Sequence, residues 1–201
     1  MPKAAIIDYD VGNLYSLKCA LGKVGFTPLI GLSKSLLEQA DAVILPGVGS
    51  FPAALKRLNT LREYLVNLAE SGTPFLGICL GMQLLFQKSE EGSGEGLALL
   101  KGGNFRLPCS VKVPHMGWNT VTIVKPTVLF ESLENPFYCY FAHSYYPVPA
   151  DESIVCAVTT YGIKFASVVA RSNIWGTQFH PEKSGGVGLK ILKNFFKFVM
   201  R

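Results

Sequence analysis

The sequence predicts an α/β fold, with a mostly parallel central sheet, helices on both faces and a smaller antiparallel extension. Three observations carry this expectation. Short, continuously apolar runs alternate with segments of helical period over the first half of the chain. Such runs fit strands covered on both faces, as parallel strands are. After about residue 100, strand-like runs follow one another with no long helical segment between them.

Lys3 to Asp8, KAAIID, opens as a buried strand. A helix follows, with Asn13 as its N-cap, Leu14, Leu17, Leu21 and Val24 at helical spacing, and Gly25 as its stop. Thr27 to Ile30 and Ala42 to Pro46 are the next strands. Gly47-Val48-Gly49 forms a loop, and a single helix is expected from Pro52 to Glu70, closed by Gly72. Pro74 to Ile78 is a strand and Leu80 to Gln87 a helix. The later strands are Thr120 to Val124, Tyr138 to Ala142, Ile154 to Thr160, Phe165 to Ala170 and Ile174 to Phe179, antiparallel or mixed. A helix from about Gly186 closes the chain.

The 201 residues suit one domain, taken as residues 1–201. Hydrophobic residues make up 49% and charged residues 16%, which excludes a disordered chain. The net charge of +5 is dispersed. Only Lys190, Lys193 and Lys197 recur at helical spacing. An amphipathic closing helix with a solvated lysine face explains them better than a membrane-surface or nucleic-acid helix, which needs a denser basic patch. The N-terminus has no secretory pattern and the longest apolar run, Phe75 to Phe86, is too short to span a bilayer, so a cytoplasmic location is expected. Five dispersed cysteines and three histidines give neither a disulfide framework nor a metal pattern, and no cofactor is expected.

The strongest chemical signal is FLGICLGMQLLF. A buried strand delivers Cys79, and a helix leaves at once between Gly77 and Gly81. This is the pattern of a nucleophile elbow, with cysteine where many hydrolases carry serine. A thiol at a helix N-terminus sits where thiolate is favoured, and the Leu80 N–H is a candidate oxyanion donor. Alone, the motif fits a nucleophile, a redox-sensing thiol or a buried cysteine equally well.

The second signal is QFHPEKSGG. Proline biases His180 to extended backbone, and residues two apart in an extended segment point to one side. Glu182 can then hold one imidazole nitrogen and leave the other for Cys79. Read singly, the histidine and glutamate are ordinary residues; joined to the elbow, they make a triad. The third signal is the loop Pro46 to Phe51. Its glycines let backbone N–H groups approach a ligand, so Gly47 is a candidate substrate contact and Val48 or Gly49 a second oxyanion donor. An ordinary turn before a helix remains the alternative.

At this point the residues resemble the triad-type class I glutamine amidotransferases, a flavodoxin-like glutaminase family. GICLGMQ and HPE carry the family resemblance. DYDVGNLYS, LPGVGSF, PHMGWN and YFAHSYY narrow it to the branch that feeds a (β/α)8-barrel cyclase in histidine biosynthesis. The resemblance implies L-glutamine as substrate, hydrolysed to glutamate and ammonia, and a heterodimer with the cyclase. It implies that Gln83, Glu91 and the backbone of His143, Ser144 and Tyr145 hold glutamine. Asn13, Trp118, Tyr140 and Lys183 would face the partner. It also implies a peptide flip in the PGVG loop that couples activity to the partner's ligand. Asp10 departs from the pattern, where a glycine or small residue is expected. Rival readings are a glutaminase of another synthase, such as pyridoxal phosphate or anthranilate synthase, or a non-catalytic redox or interaction protein.

Overall fold

A computed structural model describes residues 1–9 and 14–201. Asp10 and the candidate interface residue Asn13 therefore lie outside the described residues. The elements are β1 (Lys3–Ile7), α1 (Leu14–Val24), β2 (Thr27–Gly31), α2 (Lys34–Leu37), β3 (Ala42–Leu45), α3 (Phe51–Leu58), α4 (Arg62–Glu70), β4 (Phe75–Ile78) and α5 (Leu80–Leu84). They continue as β5 (Lys88–Ser89), β6 (Gly102–Arg106), β7 (His115–Ile123), β8 (Phe137–His143), β9 (Tyr145–Pro149), β10 (Val155–Tyr161), β11 (Ile163–Arg171), β12 (Ile174–Thr177) and α6 (Gly185–Val199).

A nine-stranded sheet runs in the order β2-β1-β3-β4-β12-β11-β10-β7-β8. From β2 to β12 every pairing is parallel; from β12 to β8 every pairing is antiparallel. The antiparallel strands thus extend the parallel sheet rather than forming a separate one. A small three-stranded sheet, β5-β6-β9, stands apart and was not expected from the sequence. Its strands are short, and β6 opens with Gly102-Gly103, so neither length nor alternation marks them.

Strand alternation divides the core. In β1, Ala4 and Ile6 join the cluster under α1 and α6, while Ala5 and Ile7 join the cluster under α3, α4 and α5. Every residue of β3 and β4 is buried, as expected of strands covered on both faces.

Two helices differ from expectation. The segment from Pro52 to Glu70 breaks at Asn59-Thr60-Leu61 into α3 and α4. Asn and Thr are poor interior helix formers, and Asn59 and Thr60 are exposed at the break while Leu58, Leu61 and Leu65 are buried. The helix after Cys79 ends at Leu84, not Gln87. The carbonyls of Leu84 and Leu85 instead accept from the N–H groups of Leu97 and Leu100, so the following loop replaces the next helical turn. Among the described residues, no helix is long and apolar enough to cross a membrane.

Candidate active site

Three adjacent parallel strands deliver the site. The carboxyl end of β3 leads into Pro46 to Gly49, that of β4 into Cys79, and that of β12 into Gln178, Phe179 and His180. β4 pairs with both of the others, so residues 32 and 99 positions apart in sequence emerge side by side at one end of the strands. This crevice at strand ends is where open α/β sheets bind ligands.

Cys79 sits at φ 50° and ψ −103°, a conformation that L-residues avoid. Such strain costs roughly 1–3 kcal/mol and persists only where the surroundings enforce it. Here the Cys79 N–H donates to the Thr177 carbonyl at 2.7 Å, and the Cys79 carbonyl accepts the Gln83 N–H at 3.1 Å. Close packing leaves no room for side chains beside it. A Cβ on Gly81 would overlap the Leu45 carbonyl oxygen, and one on Gly77 would lie 2.6 Å from the Gly81 oxygen. The Leu80 N–H, in the first turn of α5, has no partner within the helix and is free in principle to meet a developing oxyanion.

His180 and Glu182 pair through Nδ1 and Oε1 at 2.8 Å, with the histidine side chain 1% and the glutamate side chain 7% exposed. Their common direction does not come from an extended segment, as the proline argument expects. His180 is extended, but Pro181–Lys183 form a 3-10 turn, closed by the Lys183 N–H to the His180 carbonyl at 3.0 Å. The turn, rather than strand alternation, folds the carboxylate back onto the imidazole. Ser184 Oγ donates to the His180 carbonyl at 2.7 Å and accepts the Tyr140 N–H at 3.0 Å, which fixes the turn against β8.

Burial alone would keep this imidazole neutral. Negative charge on Cys79, and hydrogen bonding and charge from Glu182, outweigh it and raise the His180 pKa to about 10. Its Nε2 is buried and makes no hydrogen bond of normal geometry. Nδ1 is thus held by the carboxylate, and Nε2 is the nitrogen left to exchange a proton with the thiol or its leaving group.

The cleft at Cys79 measures about 160 Å³. It is lined by Gly47, Val48 and Gly49 of the loop, by Leu80, Gln83 and Glu91, and by His143, Ser144 and Tyr145. The structure therefore brings the elbow, the loop and all the candidate glutamine contacts to one small cavity. Gly47 rests directly on the elbow; a Cβ there would overlap the Ile78 carbonyl and stand 2.8 Å from Cys79 Cβ. Glu91 also accepts the Phe51 N–H at 2.8 Å, capping α3 where Ser50 makes no side-chain cap. Gln83 Nε2 donates to the Tyr145 carbonyl at 2.8 Å and to Gln178 Oε1 at 3.3 Å.

Trp118, Tyr140 and Lys183 do not enter the cleft. Trp118 is 58% exposed rather than part of the core. Its ring meets Tyr140 edge-on at 6.3 Å across the β7–β8 pair, and Lys183 Nζ lies 5.8 Å from the Tyr140 ring. Together they form an aromatic and cationic patch. Backbone groups link this patch to the site: the Tyr140 carbonyl accepts the His180 N–H at 2.9 Å, and the Lys183 N–H donates to the His180 carbonyl.

Sequence reasoning missed two contributors. Gln178 is fully buried and donates to Cys79 Sγ at 3.5 Å. Its place at i−2 from His180 on the same strand end was the available signal. Tyr9 is buried, and its hydroxyl donates to the Pro46 carbonyl at the start of the PGVG loop. Burial, with charge on Cys79, pushes its pKa well above the ordinary value, so it stays a donor. No motif around Tyr9 pointed to the loop.

The family model for class-I glutamine amidotransferases matches residues 5–199. The imidazole glycerol phosphate synthase subunit HisH of Methanothermobacter thermautotrophicus is 46% identical over 196 residues, covering 97% of this chain and 98% of that protein. The subunit HisH of Geobacillus kaustophilus is 48% identical over 199 residues, covering 94% of each. Among solved structures, PurLQS from Thermotoga maritima superposes with a TM-score of 0.79 at 23% identity, over 98% of each chain, a likeness of fold. The chain belongs to the class-I glutamine amidotransferase family, among the HisH subunits of imidazole glycerol phosphate synthase.

Proposed function

We propose that this chain is the glutaminase subunit of imidazole glycerol phosphate synthase and works as one glutamine amidotransferase domain, residues 1–201, in the cytoplasm. It hydrolyses L-glutamine to glutamate and ammonia and passes the ammonia to a (β/α)8-barrel cyclase subunit in histidine biosynthesis. The observation that carries this reading is near-full-length identity of 46–48% to HisH subunits. Neither nucleic acid nor a membrane has a part in it.

In this reading Cys79 is the nucleophile and His180 its proton partner, oriented by Glu182. The positive φ of Cys79, the buried His180–Glu182 pair and the raised pKa of His180 support the assignment. The thiolate attacks the side-chain amide carbon of glutamine. The oxyanion is met by the Leu80 N–H and by one N–H of Val48 or Gly49. The C–N bond breaks as His180 Nε2 gives its proton to the leaving nitrogen, so ammonia departs and a γ-glutamyl thioester stays on Cys79. Water, losing a proton to His180, cleaves the thioester and frees glutamate. Gln83, Glu91, Gly47 and the backbone at 143–145 hold the substrate, and their shared cleft supports that role.

Trp118, Tyr140, Lys183 and Asn13 face the cyclase. The exposed aromatic ring of Trp118 supports a docking role. A flip of the PGVG loop completes the oxyanion hole when the partner holds its own ligand, so the isolated subunit has low glutaminase activity. Glutamate release measured with and without the cyclase subunit and its nucleotide ligand tests the whole reading. Release that rises steeply only in the complex is expected. No release in either case returns the chain to a redox or interaction role, and full activity of the subunit alone removes the coupling.

A further inference from the structure

His115 and His143 form a buried pair that the mechanism above does not use. His115 Nδ1 and His143 Nε2 are 3.0 Å apart, and His143 Nδ1 is 2.9 Å from the Tyr145 carbonyl. Asn119 Nδ2 lies 3.2 Å from His115 Nε2. The orientation of Asn119 is fixed by two backbone groups: its Oδ1 accepts the Thr120 N–H at 2.7 Å and its Nδ2 donates to the Thr160 carbonyl at 3.1 Å. An amide nitrogen can only donate, so His115 Nε2 must accept. The proton of His115 then sits on Nδ1 and is donated to His143 Nε2, and that of His143 sits on Nδ1 and is donated to the Tyr145 carbonyl. Only one direction of donation satisfies the whole chain.

The carbonyl at its end matters. β8 ends at His143 and β9 begins at Tyr145, so Ser144 is the one residue between the nine-stranded and the three-stranded sheet. The cleft wall at 143–145 is that crossover. Its Tyr145 carbonyl is held from two sides, by His143 Nδ1 and by Gln83 Nε2. The His115 ring is itself clamped between Phe141, at 4.8 Å, and Tyr161, at 4.0 Å, both nearly parallel to it.

We propose that His115 is a positioning residue for glutamine: through its Nδ1–H it sets the tautomer of His143, and His143 pins the crossover that walls the cleft. The inference rests on the glutaminase reading of the site. Burial supports it by keeping both rings neutral, with pKa values lowered to about 4 for His115 and about 3 for His143. Loss of the His115 donor leaves His143 Nε2 a buried acceptor without a proton. With that anchor gone the imidazole is free to turn its unpaired Nε2 toward water, and the Nδ1–H bond that pins the Tyr145 carbonyl is lost with the movement.

The test compares two substitutions in the complex with the cyclase subunit. His115→Phe keeps an aromatic ring for the stack and removes the donor. His115→Asn keeps a donor near the Nδ1 position and removes the ring. Donation as the working feature predicts a KM for glutamine raised at least tenfold in H115F with kcat within threefold, and a smaller KM change in H115N. The opposite order, with H115N the worse, would make His115 a packing residue and overturn the inference, as would equal KM values in all three proteins. Nitrogen NMR of the wild-type full chain reads the tautomers directly. Both rings are expected as the Nδ1–H form, unchanged from pH 6 to 9; an Nε2–H form at either ring contradicts the chain of donation. A wild-type complex that releases no glutamate would remove the glutaminase reading and this inference with it, an outcome distinct from an active enzyme indifferent to His115.

Discussion

Substituting Gly81 by alanine adds one methyl group at the tightest point of the elbow. That carbon would overlap the Leu45 carbonyl oxygen and stand 2.5 Å from its carbon and 2.8 Å from Leu45 Cβ. Carbon atoms pack at about 3.5–4.0 Å, so the first turn of α5 and the end of β3 must separate by roughly 1 Å. Neither can yield cheaply: Leu45 and the residues of α5 are buried. Overpacking of this kind costs about 1–3 kcal/mol of stability. The same displacement moves Leu80 N–H and Cys79 relative to the Gly47–Gly49 wall, and about 1 Å of misplacement costs roughly 100-fold in turnover. Urea unfolding and glutamate release in the complex measure the two effects. Gly22→Ala is the matched control. Gly22 lies on the exposed side of α1 with nothing within 4 Å of a new Cβ, so the same substitution there should stabilise by about 0.5–1 kcal/mol and leave turnover alone. A G81A protein with wild-type turnover and urea midpoint would refute the argument that close backbone approach, rather than chance, puts glycine beside Cys79.

Stability should fall on both sides of neutrality. His115 and His143 have folded pKa values of about 4 and about 3 against 6.5 when unfolded. The unfolded chain therefore takes up protons below pH 6.5 that the folded chain refuses, and stability drops by up to about 1.4 kcal/mol per pH unit for each histidine down to their folded values. His180 has the opposite sign. Its folded pKa is about 10, so its contribution is complete below pH 6.5 and fades as pH rises through about 10. Urea midpoints at pH 5, 7 and 9 check both limbs; a flat profile contradicts them. Trp118→Ala, at an exposed position, should leave the thermal midpoint nearly unchanged while weakening cyclase binding by tenfold or more, as calorimetric titration would show. Unchanged affinity would take Trp118 out of the interface.

The elements that a sequence reveals are those whose local signals agree with the fold. β3 and β4 throughout, and β1 after Lys3, are apolar because both faces are covered, and their glycine and proline boundaries are local facts. The elbow was legible for the same reason: strand, Cys79 and helix are contiguous. The partition of the later strands was not. Nothing in the residues of β12 says that it returns to lie parallel beside β4, yet this pairing brings His180 to Cys79. That long-range choice could be supplied only by resemblance. Short elements escaped as well. β5 is two residues long, and the break between α3 and α4 falls within Leu58, Leu61 and Leu65, whose spacing is that of one continuous helix. The direction of His180 and Glu182 was foreseen for the wrong physical reason, since a turn and not an extended segment joins them. Tyr9 lay beyond pattern reading, because it acts through a hydrogen bond across the fold, and Gln178 offered only its place two residues before His180.

The central claim is that Cys79 is the nucleophile, distinguished by its setting from the other cysteines, of which Cys19 and Cys109 are the exposed ones. A diazoketone analogue of glutamine, incubated with the active complex and followed by peptide mass spectrometry, tests it most directly. One adduct is expected, on the peptide carrying Cys79, accumulating in step with loss of glutamate release and suppressed by glutamine. Inactivation that tracks labelling of Cys19 or Cys109, or that proceeds with Cys79 unmodified, would contradict it.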